Sequence, residues 1–109
     1  MSKFDEKMIA YEAALDKVDI KNDKELLRKV AKGLGPSIYN NDSNKVACSD
    51  KAEVQRVVDN LVVKKLGLDK DKGMEAVQAV CKKYVERAKH RAVFYYLVVK
   101  ELGAEDHYA

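Results

Sequence analysis

Proline occurs once, at Pro36, and glycine only at positions 33, 35, 67, 73 and 103. With so few breakers the chain holds long stretches free of turn signals, which favours helices over short, closely punctuated strands. Long apolar runs are missing as well. The longest, residues 92–99, falls far short of the roughly 20 residues a membrane-spanning helix needs, so no membrane insertion is expected. The opening Met1-Ser2-Lys3-Phe4-Asp5-Glu6 has no apolar signal-peptide core, and the expected address is cytoplasmic. Neither sign of charge dominates: 21 basic residues face 18 acidic ones for a net charge of +3, which sets aside disorder driven by self-repulsion. Cysteine is limited to Cys48 and Cys81, too few for a disulfide scaffold and suited to a reducing compartment.

What is present is material for a core. Apolar residues make up 47% of the 109 positions, and a chain of this length buries roughly two-thirds of its unfolded surface, enough to fold as one domain over residues 1–109. The 14 valines pull towards strands, so spacing has to decide. Phe4, Met8, Tyr11, Leu15 and Val18 follow gaps of 4, 3, 4 and 3, one face of a helix, with Ser2 and Asp5 placed to cap its start. A second helix follows Asn22, with Glu25 in its first turn and Leu26, Leu27, Val30 and Ala31 as its stripe. Gly33-Leu34 reads as its stop, the glycine left-handed and the leucine folding back. A third begins at Asp50, with Glu53 as the partner in a capping box. It carries Val54, Val57, Val58, Leu61, Val62 and Leu66 on one face and stops in the same way at Gly67-Leu68. The stretch 51–66 is too long for one strand, so helix outweighs valine.

A fourth helix shows Met74, Val77, Cys81, Tyr84, Val85 and Ala88 on its apolar face, with Asp69 or Asp71 as its cap. The fifth differs in kind. Ala92-Val93-Phe94-Tyr95-Tyr96-Leu97-Val98-Val99 has no polar side, and a helix apolar all round is surrounded by neighbours. The expected fold is therefore all-α: a compact bundle of about five helices with the apolar C-terminal helix, residues 91–102, at its centre. No glycine or proline separates helices four and five, so one kinked helix and two separate ones remain open. An α+β fold with the Leu-Val-Val runs as strands is the competing architecture. Leu61-Val62-Val63-Lys64-Lys65-Leu66-Gly67 recurs as Leu97-Val98-Val99-Lys100-Glu101-Leu102-Gly103. The echo reads better as a shared helix ending, with lysine against the dipole and glycine after it, than as a duplicated hairpin.

Several stretches together carry a resemblance: Lys32-Gly33-Leu34-Gly35-Pro36-Ser37-Ile38-Tyr39, Lys64-Lys65-Leu66-Gly67-Leu68, Arg91-Ala92-Val93-Phe94-Tyr95-Tyr96-Leu97 and the opening Ser2-Lys3-Phe4-Asp5. In their order and spacing the chain resembles, over nearly its whole length, a small bacterial domain-of-unknown-function family. The resemblance implies a bacterial, cytosolic, mostly helical single-domain protein. The family has no assigned activity, so it brings no functional residue, and residues 82–90 match it least well.

Residues suited to chemistry are sparse. The loop 33–44 offers Gly35 and Pro36 in a turn, with Ser37 and Tyr39 hydroxyls. Together with Arg91 it is the candidate small-ligand or enzyme site, set against a plain helix ending with Ile38 and Tyr39 in the core. It lacks the strand and the glycine-lysine-serine/threonine ending of a phosphate loop. Cys81 reads as an inert core thiol. Cys48, just before a helix start, is the one candidate for a reactive thiol. No Cys-x-x-Cys, His-x-x-x-His or calcium-loop spacing occurs, so no metal and no cofactor is expected. Asp69 and Asp71, flanked by Lys70 and Lys72, read as helix caps. Lys82, Lys83, Arg87, Lys89 and Arg91 against Glu86 put a charge of +4 into residues 82–91. That cluster could hold phosphates or nucleic acid, although an ordinary charged helix end explains it too. Arg91 reads first as an anchor to a carboxylate or to the Gly35 loop. The leading functional expectation is a non-enzymatic module binding another, unidentified macromolecule. Nucleic-acid binding through 82–91 and a ligand site in the 33–44 loop are the alternatives, and the oligomeric state is left open.

Overall fold

The structure is a computed structural model that describes residues 3–18, 23–34, 45–84 and 89–108. Helix α1, Lys3–Val18, turns Met8, Tyr11 and Leu15 inward. Helix α2, Lys24–Leu34, buries Leu26, Leu27, Val30 and Ala31. Its cap is Asp23, one residue later than the sequence suggests: the carboxylate accepts from the N–H groups of Glu25 and Leu26 at 3.0 and 3.1 Å, satisfying donors the first turn leaves unpaired. Gly33 is not the stop. It lies within α2, and left-handed backbone among the described residues occurs only at Gly67 and Gly103, both at φ 65°. Outside the core, Arg28 holds α2 to α1 by an ion pair with Asp5 at 3.4 Å and by stacking 4.9 Å over the Phe4 ring.

Strand β1, Lys45–Val46, leads through a turn to α3, Lys51–Val57, capped by the Asp50 carboxylate on the Ala52 N–H. The rod continues as a π-helix, Val58–Lys65, and buries Val54, Val57, Val58, Leu61 and Val62. Its widened winding shows in the Leu66 N–H, which reaches the Leu61 carbonyl at 2.9 Å. Gly67 ends it as expected, but Leu68 stays 38% exposed instead of folding back. Its N–H still bonds the Val62 carbonyl at 2.9 Å, so backbone pairing alone closes this end.

Helix α4, Lys70–Lys83, is capped by Asp69, not Asp71, and buries Gly73, Ala76, Val77 and Val80. Gly73 is what brings α4 against the π-helical rod. A Cβ there would lie 2.6 Å from Val62 Cγ1 and 2.9 Å from Val62 Cβ, and valine has no flexible end to swing aside. Gly73→Ala gains about 1 kcal/mol of helix propensity, but overpacking costs about 1–3 kcal/mol. A net loss of about 1 kcal/mol is expected, read as a lower midpoint in urea. An unchanged or raised midpoint would show that the rods are not in contact here.

Helices four and five are separate. Tyr84 leaves the helix, and strand β2, Lys89–His90, pairs antiparallel with β1, Lys45 opposite His90 and Val46 opposite Lys89. The ladder fixes where α5, Arg91–Leu102, begins. All eight residues 92–99 of α5 are buried, and the helix packs against α1, α2 and α4. The Leu-Val-Val runs are thus helical, not strands. Gly103 closes α5, with its own N–H on the Lys100 carbonyl and that of Ala104 on Val99, the Schellman pattern. The turn Glu105–Tyr108 returns to α2. The molecule is a compact all-helical bundle, with a Cα radius of gyration of 12.7 Å. Among the described helices none is long and apolar enough to cross a membrane.

Candidate functional site

Two arrangements bring chemistry-bearing side chains together. The first surrounds Arg91, at the start of α5. Its guanidinium donates to one Glu53 carboxylate oxygen and, at 3.3 Å, to the Tyr95 hydroxyl. The second Glu53 oxygen accepts from Arg56 at 3.2 Å. The Arg91 and Glu53 side chains each keep only 13% exposure. Burial alone would lower the guanidinium pKa. Hydrogen bonds and charge from Tyr95 and Glu53 outweigh it and hold the group above its ordinary value. A cation shifted upward adds stability that is constant at neutral pH and lost only in strong alkali, so Arg91 itself stays charged throughout the neutral range. Arg91 is thus the anchor to a carboxylate. That carboxylate is Glu53, which the sequence places in a capping box.

The second arrangement is a groove of about 550 Å³ between α3 and α4, lined by Cys48, Lys51, Val54, Gln55, Met74, Gln78, Cys81 and Lys82. On each rod the lining residues lie at i, i+3 and i+4 or i, i+4, i+7 and i+8, so each contributes one stripe. Val54 and Met74 supply an apolar floor. Lys51, Gln55, Gln78 and Lys82 bring amides and ammonium groups, and among the described residues no carboxylate lines the groove. Cys48 and Cys81 are bonded to each other as a disulfide, their Cα atoms 5.9 Å apart. This corrects both sequence readings of the thiols, since Cys81 is not an inert core thiol and Cys48 is not a free nucleophile. It also removes the cysteine argument for a reducing compartment. In the loop-entropy view a cross-link over this span stabilises by roughly 3–4 kcal/mol.

The basic cluster is divided. Lys82 and Lys83 are exposed at the end of α4, Lys83 lying 3.8 Å from Glu101. Lys89 sits half-buried in the β ladder and Arg91 turns inward to Glu53. Arg87 lies outside the described residues, as do Gly35, Pro36, Ser37, Ile38 and Tyr39. The His90 ring is set against the Tyr11 ring at 5.3 Å, and the His90 backbone N–H donates to the Tyr84 hydroxyl at 3.3 Å. Among the described residues no group of three His, Cys, Asp or Glu side chains gathers as a metal site would require.

The sequence reading missed the groove and the cross-link. The stripes 51, 54, 55 and 74, 78, 81, 82 were visible as helical spacings, but which rod faces which was not.

These features define a small helical bundle with an open groove between α3 and α4 that Lys51 and Lys82 help to line. Residues 10–106 match the family model described as a protein of unknown function, DUF2853, and the chain belongs to that family. No curated protein matches it.

Proposed function

We propose that this protein is a non-enzymatic interaction module, cytosolic and single-domain, that binds a partner protein through the α3–α4 groove. The partner segment places an apolar side chain over Val54 and Met74 and carboxylates against Lys51 and Lys82. The observation supporting this reading is the lining itself: Val54 and Met74 as apolar surface, two exposed lysines, and no carboxylate among the described residues. An acidic segment is the complement, because opposite charge steers encounter and like charge is rejected. In the cytosol a disulfide beside such a groove would be transient and not a permanent staple.

The test is capture on the tagged full chain from a native lysate, with and without nuclease, using wild type, Met74→Glu and the double variant Lys51→Glu/Lys82→Glu. Circular dichroism checks that each is folded. A nuclease-resistant protein should be retained by wild type and by the α1 control Lys7→Glu. Each groove variant should weaken its retention about tenfold or more, since tenfold corresponds to about 1.4 kcal/mol. Retention indifferent to the groove variants, or carried by nucleic acid through Lys82 and Lys83, would sink the reading.

A further inference from the structure

We propose that Cys48–Cys81 is a reversible thiol–disulfide exchange site, and that its co-substrate is a small anionic thiol of tripeptide size. This draws on the same lysines as the docking groove but does not depend on any protein partner. Three observations carry it. Cys48 and Cys81 are half-buried residues that both line an open groove of about 550 Å³, a volume within the usual range for small-molecule sites. An incoming thiolate therefore has a path to the bond without unfolding the chain. Second, Lys51 and Lys82 share that lining, and no carboxylate does so among the described residues. Cations beside the sulfur favour the thiolates that attack and leave during exchange, and they attract a thiol bearing carboxylates.

The third observation is that the bond is not what joins α3 to α4. Val54, Val57, Val77 and Val80 are buried in the common core, and Gly73 seats against Val62, so the rods stay packed when the bond opens. The chemistry balances without any further redox agent. One thiolate RS⁻ attacks one sulfur, the Cys48–Cys81 bond breaks, and the displaced cysteine leaves as a thiolate that takes up a proton. A second RS⁻ attacks the outer sulfur of the mixed disulfide, releasing RSSR and the other cysteine. Two thiols are oxidised to one disulfide, and two electrons and two protons pass to the protein.

The experiment uses the purified full chain at neutral pH in a ladder of reduced-to-oxidised glutathione. Each sample is quenched with acid, alkylated and weighed by mass spectrometry. Zero and two alkyl groups should interchange across the ladder, with the same distribution reached from the oxidised and the reduced side and the helical spectrum retained. A bond that stays closed at every ratio until denaturant is added, or two free thiols at every ratio, would overturn the proposal. The second measurement is the rate of opening in wild type against Lys51→Glu/Lys82→Glu, with glutathione and with the cationic thiol cysteamine. Glutathione should slow about tenfold in the variant and cysteamine should not slow. Equal slowing of both would overturn the assignment of the lysines and of an anionic co-substrate.

Discussion

Glu53→Ala is expected to destabilise the fold by about 3 kcal/mol, although its carboxylate lies outside the apolar core. The substitution takes the Glu53 carboxylate away from the Arg91 guanidinium, whose side chain is 13% exposed beside Tyr95. Breaking a buried pair from one side costs about 3–5 kcal/mol, and the residual exposure puts this pair at the lower end. At about 4–8 °C per kcal/mol for a domain of this size, the thermal midpoint should fall by more than about 10 °C. The asymmetry is the informative part. Arg56, which shares the same carboxylate, has a side chain 66% exposed, and Arg56→Ala should cost only about 0.5 kcal/mol. The double change Glu53→Met/Arg91→Met should recover most of the loss, because replacing both halves of a buried pair by apolar side chains costs far less than removing one. Thermal unfolding followed by circular dichroism reads all three. A Glu53→Ala protein within about 1 kcal/mol of wild type would show the pair to be solvated.

The second large effect lies inside α5. Phe94 is fully buried within the run 92–99, and Phe94→Ala is expected to cost about 3–5 kcal/mol through lost apolar transfer and the cavity left behind. Set against a total stability of about 5–15 kcal/mol for ordinary domains, that could leave the variant barely folded at 37 °C. Phe94→Leu, which keeps most of the volume, should cost less than half as much in a urea melt. If both substitutions were nearly neutral, α5 would not be wrapped by α1, α2 and α4.

These two residues show how differently the sequence spoke. Phe94 was legible because eight consecutive apolar residues on a helix leave no side for water, whatever the neighbours are. Arg91 was legible only by half. A cation at the head of an apolar helix needs a counter-charge, but the partner, Glu53, lies 38 positions away and satisfies a local capping pattern equally well. The same limit hid the cross-link. Cys48 lies in the turn before α3 and Cys81 on α4, and long-range packing, with the β1–β2 ladder and the seat of Gly73 on Val62, brings those elements side by side.

The boundaries tell the same story on a smaller scale. Gly67 and Gly103 end their helices where Lys-x-Leu-Gly stands, because a left-handed residue without a Cβ is a local requirement. Gly33 lacks the preceding leucine but, like Gly67, is followed by one, and α2 continues through it. The split between α4 and α5 carries no breaker at all, and it exists because residues 89–90 pair with a strand more than forty positions earlier. The stripe of α4 is likewise rotated from the one its largest residues suggest, towards Gly73, Ala76 and Val80, since close approach to the neighbouring rod selects small residues.

The chain's own order of residues determined that it is helical, where most helices start, and that the segment near its C-terminus is hidden from water. Those outcomes rest on contacts a few positions apart, repeated every turn. Tertiary structure alone decided the charge partner of Arg91, the joining of the two sulfurs, and the groove they share with Lys51 and Lys82. Each needs two distant stretches held at ångström distance, and periodicity along one helix carries no information about which other helix stands opposite.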